Sequence, residues 1–179
     1  VAELYPETSP AIGSAVLEVE QLYGIGLRGV NLKVHAGEVL GIAGLVGSGR
    51  ESLAGAVYGA TPRFAGKVLV DKRKVFATPR DSIRAGIAYV PADRKAHGLD
   101  LQDRLHEHVP LPRLGPLQRR GRLRHAAARR ESGDWVERLD VQPPLLDRRM
   151  EKFSGGNQQK AVLARWLRTD PRVLLLDEP

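Results

Sequence analysis

A glycine-rich turn at residues 44–51 constrains the fold of this chain more than any other stretch of the sequence. It follows an apolar run at residues 39–43 and precedes another at 52–58, an order that predicts a strand, a loop and a helix. Glycines permit positive φ, so successive N–H groups and the helix N-terminus can converge on a phosphate. The spacing matches the phosphate-loop pattern G-x-x-x-x-G-K-[ST], with the residues Gly44, Gly47, Ser48, Gly49, Arg50, Glu51 and Ser52.

Two side chains of this loop depart from that pattern. Arg50 stands where a lysine would reach the β- and γ-phosphates, and Glu51 stands where a serine or threonine would ligate Mg²⁺. An arginine fork is bulkier and less point-like than an ammonium group, and a glutamate directs a carboxylate toward the phosphates. The turn taken alone therefore leaves two interpretations open, a nucleotide site or an ordinary tight connection between a strand and a helix.

The composition limits the class of protein. With 179 residues, of which 42% are hydrophobic and 27% charged, we expect a globular cytosolic domain with a sizeable core. The absence of cysteine excludes a disulfide framework and a thiolate metal site. The net charge of +7 permits nucleic acid or an anionic membrane surface as a partner but does not select either one.

The sequence before and after the loop predicts further elements. The stretch 1–14 is rich in Pro, Ser and Thr, and we interpret it as a linker from a preceding domain. Tyr23 and Tyr58 could stack on a base, but we expect both to pack in the core. Alternation and turn residues predict antiparallel strands at 15–22 and 30–34 and a hairpin at 67–77. They also predict a helix at 79–85 that is capped by Thr78, followed by a buried strand at 87–90.

Seven arginines lie between residues 113 and 130, with no acidic or aromatic residue among them. A nucleic-acid surface would interleave such charge with stacking groups, so we expect a solvated basic helical face. Helical spacing continues over 126–139, where Trp135, Val136 and Leu139 form one side. We therefore expect an inserted helical subdomain at about 92–155.

Two motifs near the end of the chain carry chemistry. A Ser-Gly-Gly turn opens a predicted helix and presents a hydroxyl, bare N–H groups and the positive end of the helix dipole to an anion. The apolar strand after Arg172 ends in two carboxylates, where Asp177 could hold Mg²⁺ through water and Glu178 could polarise an attacking water. The residues of the turn and the start of its helix are Ser154, Gly155, Gly156, Asn157 and Gln158.

In this order, the three motifs resemble the nucleotide-binding domain of an ATP-binding cassette protein. More narrowly, the sequence resembles the second cassette of two-cassette bacterial sugar importers of the ribose, galactose and xylose type. It rests on residues 37–50, on Asp93-Arg94-Lys95 with Gly98-Leu99, and on residues 154–160. It implies an α/β P-loop NTPase fold with a mixed sheet, an N-terminal antiparallel β layer and the inserted helices. Residues 15–179 would form this domain, truncated at its C-terminus, because the switch histidine would lie beyond Glu178.

The resemblance also implies roles, cofactors and partners. The cofactors would be ATP and Mg²⁺, with residues 44–52 as a degenerate Walker A loop, Asp177 as the metal residue and Glu178 as the catalytic residue. Ser154, Gly155 and Gly156, in the signature motif, would act on ATP held by the first cassette of the same full-length chain. The other partners would be membrane permease subunits and, indirectly, a sugar-binding protein. The location would be the cytoplasmic face of the membrane.

Two other functions remain open from the sequence. One is a nucleic-acid-associated cassette ATPase, suggested by the basic charge, although no stacking aromatics support it and we expect no nucleic-acid partner. The other is a regulatory cassette that binds nucleotide only to dimerise, suggested by Arg50 and Glu51.

Overall fold

The computed structural model describes residues 12–178, so most of the predicted linker and the terminal Pro179 lie outside the described residues. The chain divides into two compact units, the first ending at Asp81 and the second beginning at Ser82. Among the described residues, no helix is both long and apolar enough to cross a bilayer.

The first unit is built on a four-stranded antiparallel sheet. The strand order is β2-β1-β3-β4, and β1 pairs with both β2 and β3. Val16, Leu17, Val19 and Leu22 of β1 are buried, and each such side chain contributes about 1.5–3 kcal/mol by leaving water. The predicted antiparallel strands and hairpin are confirmed; the elements are β1 (Ala15–Gly24), β2 (Leu27–His35), α1 (Arg50–Tyr58), β3 (Arg63–Val70) and β4 (Arg73–Val75).

The predicted strand at residues 39–43 is wrong, because the structure gives this segment no regular secondary structure. Val39 is 97% exposed, and Leu40 and Ile42 are also exposed. An apolar run signals only a preference for extended backbone, whereas a strand also needs a neighbouring backbone to complete its hydrogen bonds. No strand pairing within residues 12–178 includes this segment.

Of the two tyrosines predicted to pack in the core of this unit, one does and one does not. Tyr58, at the end of α1, is buried as predicted. Tyr23 is 42% exposed, so the prediction that it packs in the core is wrong. It lies in β1 beside a register shift in the pairing with β3, and such irregularities re-aim side chains along a strand.

The second unit combines a parallel strand pair with a helical core. β5 and β8 pair in parallel with Ile87 opposite Val173 and Val90 opposite Leu176. The core lies between α4, α5 and α6, where Leu105, Val136 and Ala161 are buried together. The elements are α2 (Pro79–Arg84), which crosses the division, β5 (Ile87–Val90), α3 (Arg94–His97), α4 (Leu105–His108), β6 (Gln118–Arg119), β7 (Arg122–Leu123), α5 (His125–Arg138), α6 (Gly155–Leu167) and β8 (Val173–Leu176).

Part of the arginine-rich stretch forms a hairpin instead of the predicted helical face. Arg119 pairs with Arg122 across a two-residue turn, in which Arg120 has a φ of 52° and Gly121 a φ of 75°. Two successive positive φ values are typical of a tight hairpin turn, and glycine supplies one of them without strain. The charges remain exposed as predicted, but a local turn preference overrides the helical continuation.

A buried histidine lies at the end of α4. His108 is fully buried, and neither ring nitrogen has a hydrogen-bond partner among the described residues. Burial, with repulsion from the charge of Arg165, lowers the pKa of His108 to about 3, and the carboxylate of Asp100 opposes the shift only partly. The folded protein therefore holds this ring neutral.

We expect this ring to make the protein acid-sensitive. Between pH 6.5 and 3 the unfolded chain binds a proton that the folded chain does not. The free energy of unfolding is therefore fully retained above pH 6.5 and falls as the pH drops below that value. The loss from pH 7 to pH 5 is about 2 kcal/mol. His108→Leu should remove this loss and stabilise the protein at pH 7 by about 1 kcal/mol, measured by urea unfolding at both pH values. Equal pH dependence in wild type and variant would contradict this expectation, and exposed His125→Leu is the control.

Candidate functional site

The phosphate loop has the backbone that the glycine pattern predicts. Gly47 and Gly49 have φ values of 82° and 93°, and α1 begins directly afterwards with Gly49 as its N-cap. Gly49 is buried, and a Cβ at this position would collide with the carbonyl oxygen of Gly26. The loop thus requires glycine at position 49 for both its conformation and its packing.

The Glu51 side chain folds back onto this loop. Its Oε1 accepts a hydrogen bond of 3.1 Å from the backbone N–H of Gly47. The N–H of Ser48 is donated to the carbonyl oxygen of Leu45 at 3.1 Å. Two of the loop N–H groups are therefore bonded within the loop.

Tyr89 and Asp177 meet at the ends of the parallel strands. The Asp177 N–H donates to the Val90 carbonyl at 3.0 Å, and the Tyr89 hydroxyl donates to Asp177 Oδ2 at 3.1 Å. Burial and the adjacent Asp177 carboxylate raise the pKa of Tyr89 to about 12, so the hydroxyl stays protonated. Sequence reasoning missed Tyr89. The signal is its register opposite Leu175, two residues before Asp177, which only strand pairing reveals.

Asp177 has the chemistry of a magnesium ligand. Its Oδ2 accepts the hydrogen bond from Tyr89, and the same carboxylate has a second oxygen, Oδ1, that can also accept. Within residues 12–178 no group of three or more histidine, cysteine or acidic side chains could hold a metal by itself. Mg²⁺ in nucleotide sites takes one or two carboxylates together with phosphate oxygens and water, so a single aspartate has the right donor chemistry. Asp177 would hold the ion, which would neutralise phosphate charge when bound.

Glu178 lines a small cleft in the second unit. Its backbone has a φ of 47°, and its neighbours in a cleft of about 180 Å³ come from β5, the loop after it, α3 and α6. The residues that line the cleft are Val90, Pro91, Ala92, Arg94, Gln159, Val162 and Glu178.

Asp93 caps α3, the short helix that begins at Arg94. It accepts hydrogen bonds from the N–H groups of Ala96 and Lys95, both at 3.0 Å, and these bonds lower the pKa of its carboxyl group.

Side-chain hydrogen bonds hold the Ser-Gly-Gly turn in place, and part of the turn is exposed to solvent. Ser154 is the N-cap of α6, its Oγ accepts a hydrogen bond of 2.9 Å from the Asn157 amide, and Asn157 Oδ1 accepts the Gln142 N–H at 2.7 Å. Gln158 is buried and donates to the Met150 carbonyl at 3.0 Å, so its side chain supports the turn and faces away from solvent. Ser154 and Gly156 remain exposed.

Arg94 connects this turn to the Glu178 cleft. Besides lining the cleft, its guanidinium lies so close to Gly155 that a Cβ on Gly155 would be 2.7 Å from Nη2. No Cβ-bearing residue fits there unless Arg94 moves. The sequence places Arg94 sixty-one residues before Gly155, so no local signal indicated this contact.

The predicted site residues fall in both units. Residues 44–52 lie in the first unit, whereas the carboxylates Asp177 and Glu178 and the turn at 154–156 lie in the second. Within the second unit, Arg94 links the cleft and the turn.

A family model and several known proteins match this chain. Residues 27–179 match the family described as ABC transporter. The whole chain is 40% identical to the ribose import ATP-binding protein RbsA 3 of Rhizobium etli and 43% identical to RbsA 3 of Rubrobacter xylanophilus. It spans only 35% and 36% of the lengths of these relatives.

Solved structures share the fold at lower identity. A dimeric ATP-binding cassette in a post-hydrolysis state, bound to ADP and Pi, superposes with a TM-score of 0.71 at 22% identity, covering 89% of this chain and 72% of that chain. A nucleotide-free cassette from an ABC transporter gives 0.70 at 19% identity, covering 91% and 68%. The fold is therefore the mixed α/β P-loop cassette fold. With the family match over residues 27–179, these findings establish that the chain belongs to the ABC transporter family.

Proposed function

We propose that this chain is the second cassette of a two-cassette ATPase that powers carbohydrate import, with ribose as the first sugar to test. The observation that carries the proposal is the similarity of the entire chain to ribose import ATP-binding proteins at about 40% identity. The exposed Ser-Gly-Gly turn and the paired carboxylates at the end of β8 support an ATPase role.

In this proposal the turn at the start of α6 acts on nucleotide held by the first cassette. Ser154 and Gly156 are exposed, and the N–H groups at the helix start point outward with the positive end of the dipole. Donors held in place before reaction stabilise the charge that develops on the transferred phosphoryl group without reorganisation. Water would attack the γ-phosphate in line, so the contribution of this chain is positioning and charge stabilisation.

The phosphate loop of this chain would form the weaker of two composite sites. Arg50 supplies charge in place of lysine, and Glu51 replaces the hydroxyl that would ligate the metal. Within the second unit, Asp177 would hold Mg²⁺ and Glu178 would orient water. We infer that the phosphate loop binds nucleotide for regulation or supports only slow hydrolysis.

The partners follow from the same proposal. The chain would pair with the first cassette of its own polypeptide and dock on membrane permease subunits at the cytoplasmic face. A sugar-binding protein would act through the permease. A nucleic-acid partner is not proposed, because the exposed arginines of the β6–β7 hairpin have no aromatic residue beside them in sequence to stack on bases.

We expect Gly156→Ala to separate function from folding. The structure leaves open space around a Cβ at Gly156, so folding tolerates the change, and helix propensity favours alanine. A methyl group there would stand between the helix N–H groups and a phosphate of the partner site. In proteoliposomes of the full-length protein with its permease and ribose-binding protein, ribose-stimulated ATPase activity should fall about tenfold.

The melting temperature of Gly156→Ala should stay within about 2 °C of wild type, in keeping with a change below about 1 kcal/mol. Unchanged stimulated activity would remove the turn from the working site. Wild-type ATPase activity that ignores ribose, combined with tight, steeply salt-dependent RNA binding, would overturn the import function itself.

A further inference from the structure

The carboxylate of Glu51 is hydrogen-bonded to the phosphate loop of this chain. Gly47 donates its backbone N–H to Glu51 Oε1 at 3.1 Å, although a phosphate loop offers such groups to a bound phosphate. Gly47 is exposed, so its backbone is accessible to a ligand from solvent. The carboxylate therefore occupies one position of the cradle.

The position of Glu51 in the helix explains why this contact forms. Glu51 is the second residue of α1, four residues after Gly47, and Gly49 as N-cap brings no side chain to the helix start. A carboxylate in the first helical turn is attracted to the positive end of the helix dipole. The same field attracts phosphate, so side chain and ligand compete for one electrostatic site.

We propose that Glu51 is the residue that sets the nucleotide affinity of this site, by capping the phosphate loop until a nucleotide displaces it. The proposal rests on the proposed function of the loop as an ATP site. A phosphate that takes the Gly47 N–H must first break the Glu51 bond, and the displaced carboxylate then stays within the loop as a like charge. Both effects weaken the binding of ATP more than a neutral side chain would.

The experiment measures nucleotide binding at this loop and not turnover. Full-length protein is photolabelled with azido-ATP over a concentration series, and mass spectrometry quantifies label on the peptide that contains residues 44–52. The variants are Glu51→Ala, which removes the cap, and Glu51→Gln, which keeps an acceptor without charge. The matched control is Glu20→Gln, an exposed glutamate of β1 outside the loop.

We expect Glu51→Ala to label at concentrations at least tenfold lower than wild type, Glu51→Gln to lie between them, and Glu20→Gln to match wild type. Glu51→Thr, which adds a hydroxyl where the phosphate-loop pattern has one, should gain further only with Mg²⁺ present. Amide hydrogen exchange of Gly47 without nucleotide should be faster in Glu51→Ala, because its acceptor is gone.

Two failures are distinguishable. Equal labelling of wild type and Glu51→Ala, or unchanged Gly47 exchange, would overturn the capping role and leave the nucleotide site in place. Absence of label on this peptide in every variant, while the first cassette is labelled, would overturn the nucleotide site itself and the capping role with it.

Discussion

Replacing Ser154 with arginine is expected to lower the ATPase activity of the full-length protein about a hundredfold, because in the proposed function the turn would supply hydrogen-bond donors to the working ATP site. Ser154 is exposed at the N-cap of α6, so a long cationic side chain there fills the space where the partner cassette would present its nucleotide. Its Oγ accepts a hydrogen bond from the Asn157 amide, a local bond whose loss should leave the fold intact. Steady-state phosphate release by the purified protein gives the measurement.

Gln118→Arg is the matched control for this substitution. Gln118 is also polar, uncharged and exposed in the second unit, but it lies in the β6–β7 hairpin. The control should retain the wild-type rate. Full activity in Ser154→Arg would remove the turn from the working site, and a melting temperature lowered in Ser154→Arg alone would assign its loss of activity to folding.

Gly49→Ala is expected to destabilise the 179-residue chain by about 3 kcal/mol, since it combines a left-handed backbone conformation with a steric clash. The φ of 93° is strained for alanine, and the added Cβ would collide with the carbonyl oxygen of Gly26 in the turn between β1 and β2. Both backbones must shift to relieve this contact. Thermal unfolding should show a midpoint lowered by roughly 6–12 °C.

Gly47→Ala separates the two contributions. Gly47 has a φ of 82°, but a Cβ there would have no atom within 4 Å. Only the conformational cost of about 1 kcal/mol remains, so its midpoint should fall much less than that of Gly49→Ala. Equal midpoints for the two variants would show that the Gly26 contact does not constrain the loop.

Local patterns predicted the elements whose stabilising interactions are also local. Thr78 caps α2 by accepting the Asp81 N–H at 3.2 Å, as the sequence Thr-Pro indicates. The alternation in β1 predicts a strand because the buried side chains of Leu17 and Val19 lie on one face. The segment 39–43 was mispredicted for the opposite reason, because an isolated apolar run carries no information about which backbone will pair with it.

The contacts around the candidate site join residues that are far apart in the sequence. Tyr89 reaches Asp177 across 88 residues of sequence, and Arg94 reaches Gly155 across 61, so neither contact leaves a periodic signal. Gln158 belongs to the signature motif by sequence, but the structure buries it against Met150. Whether a polar residue faces a ligand or supports a turn depends on burial, which packing decides.

The sequence by itself determined the order and local shape of the three motifs: a glycine turn that opens a helix, a Ser-Gly-Gly N-terminus and a strand that ends in two carboxylates. These follow from backbone preferences of neighbouring residues, which act within a few positions of the chain. Only the tertiary structure decided that Tyr89 donates to Asp177 and that Arg94 lies against Gly155. Those contacts depend on where side chains point once the chain is packed, and no residue encodes that alone.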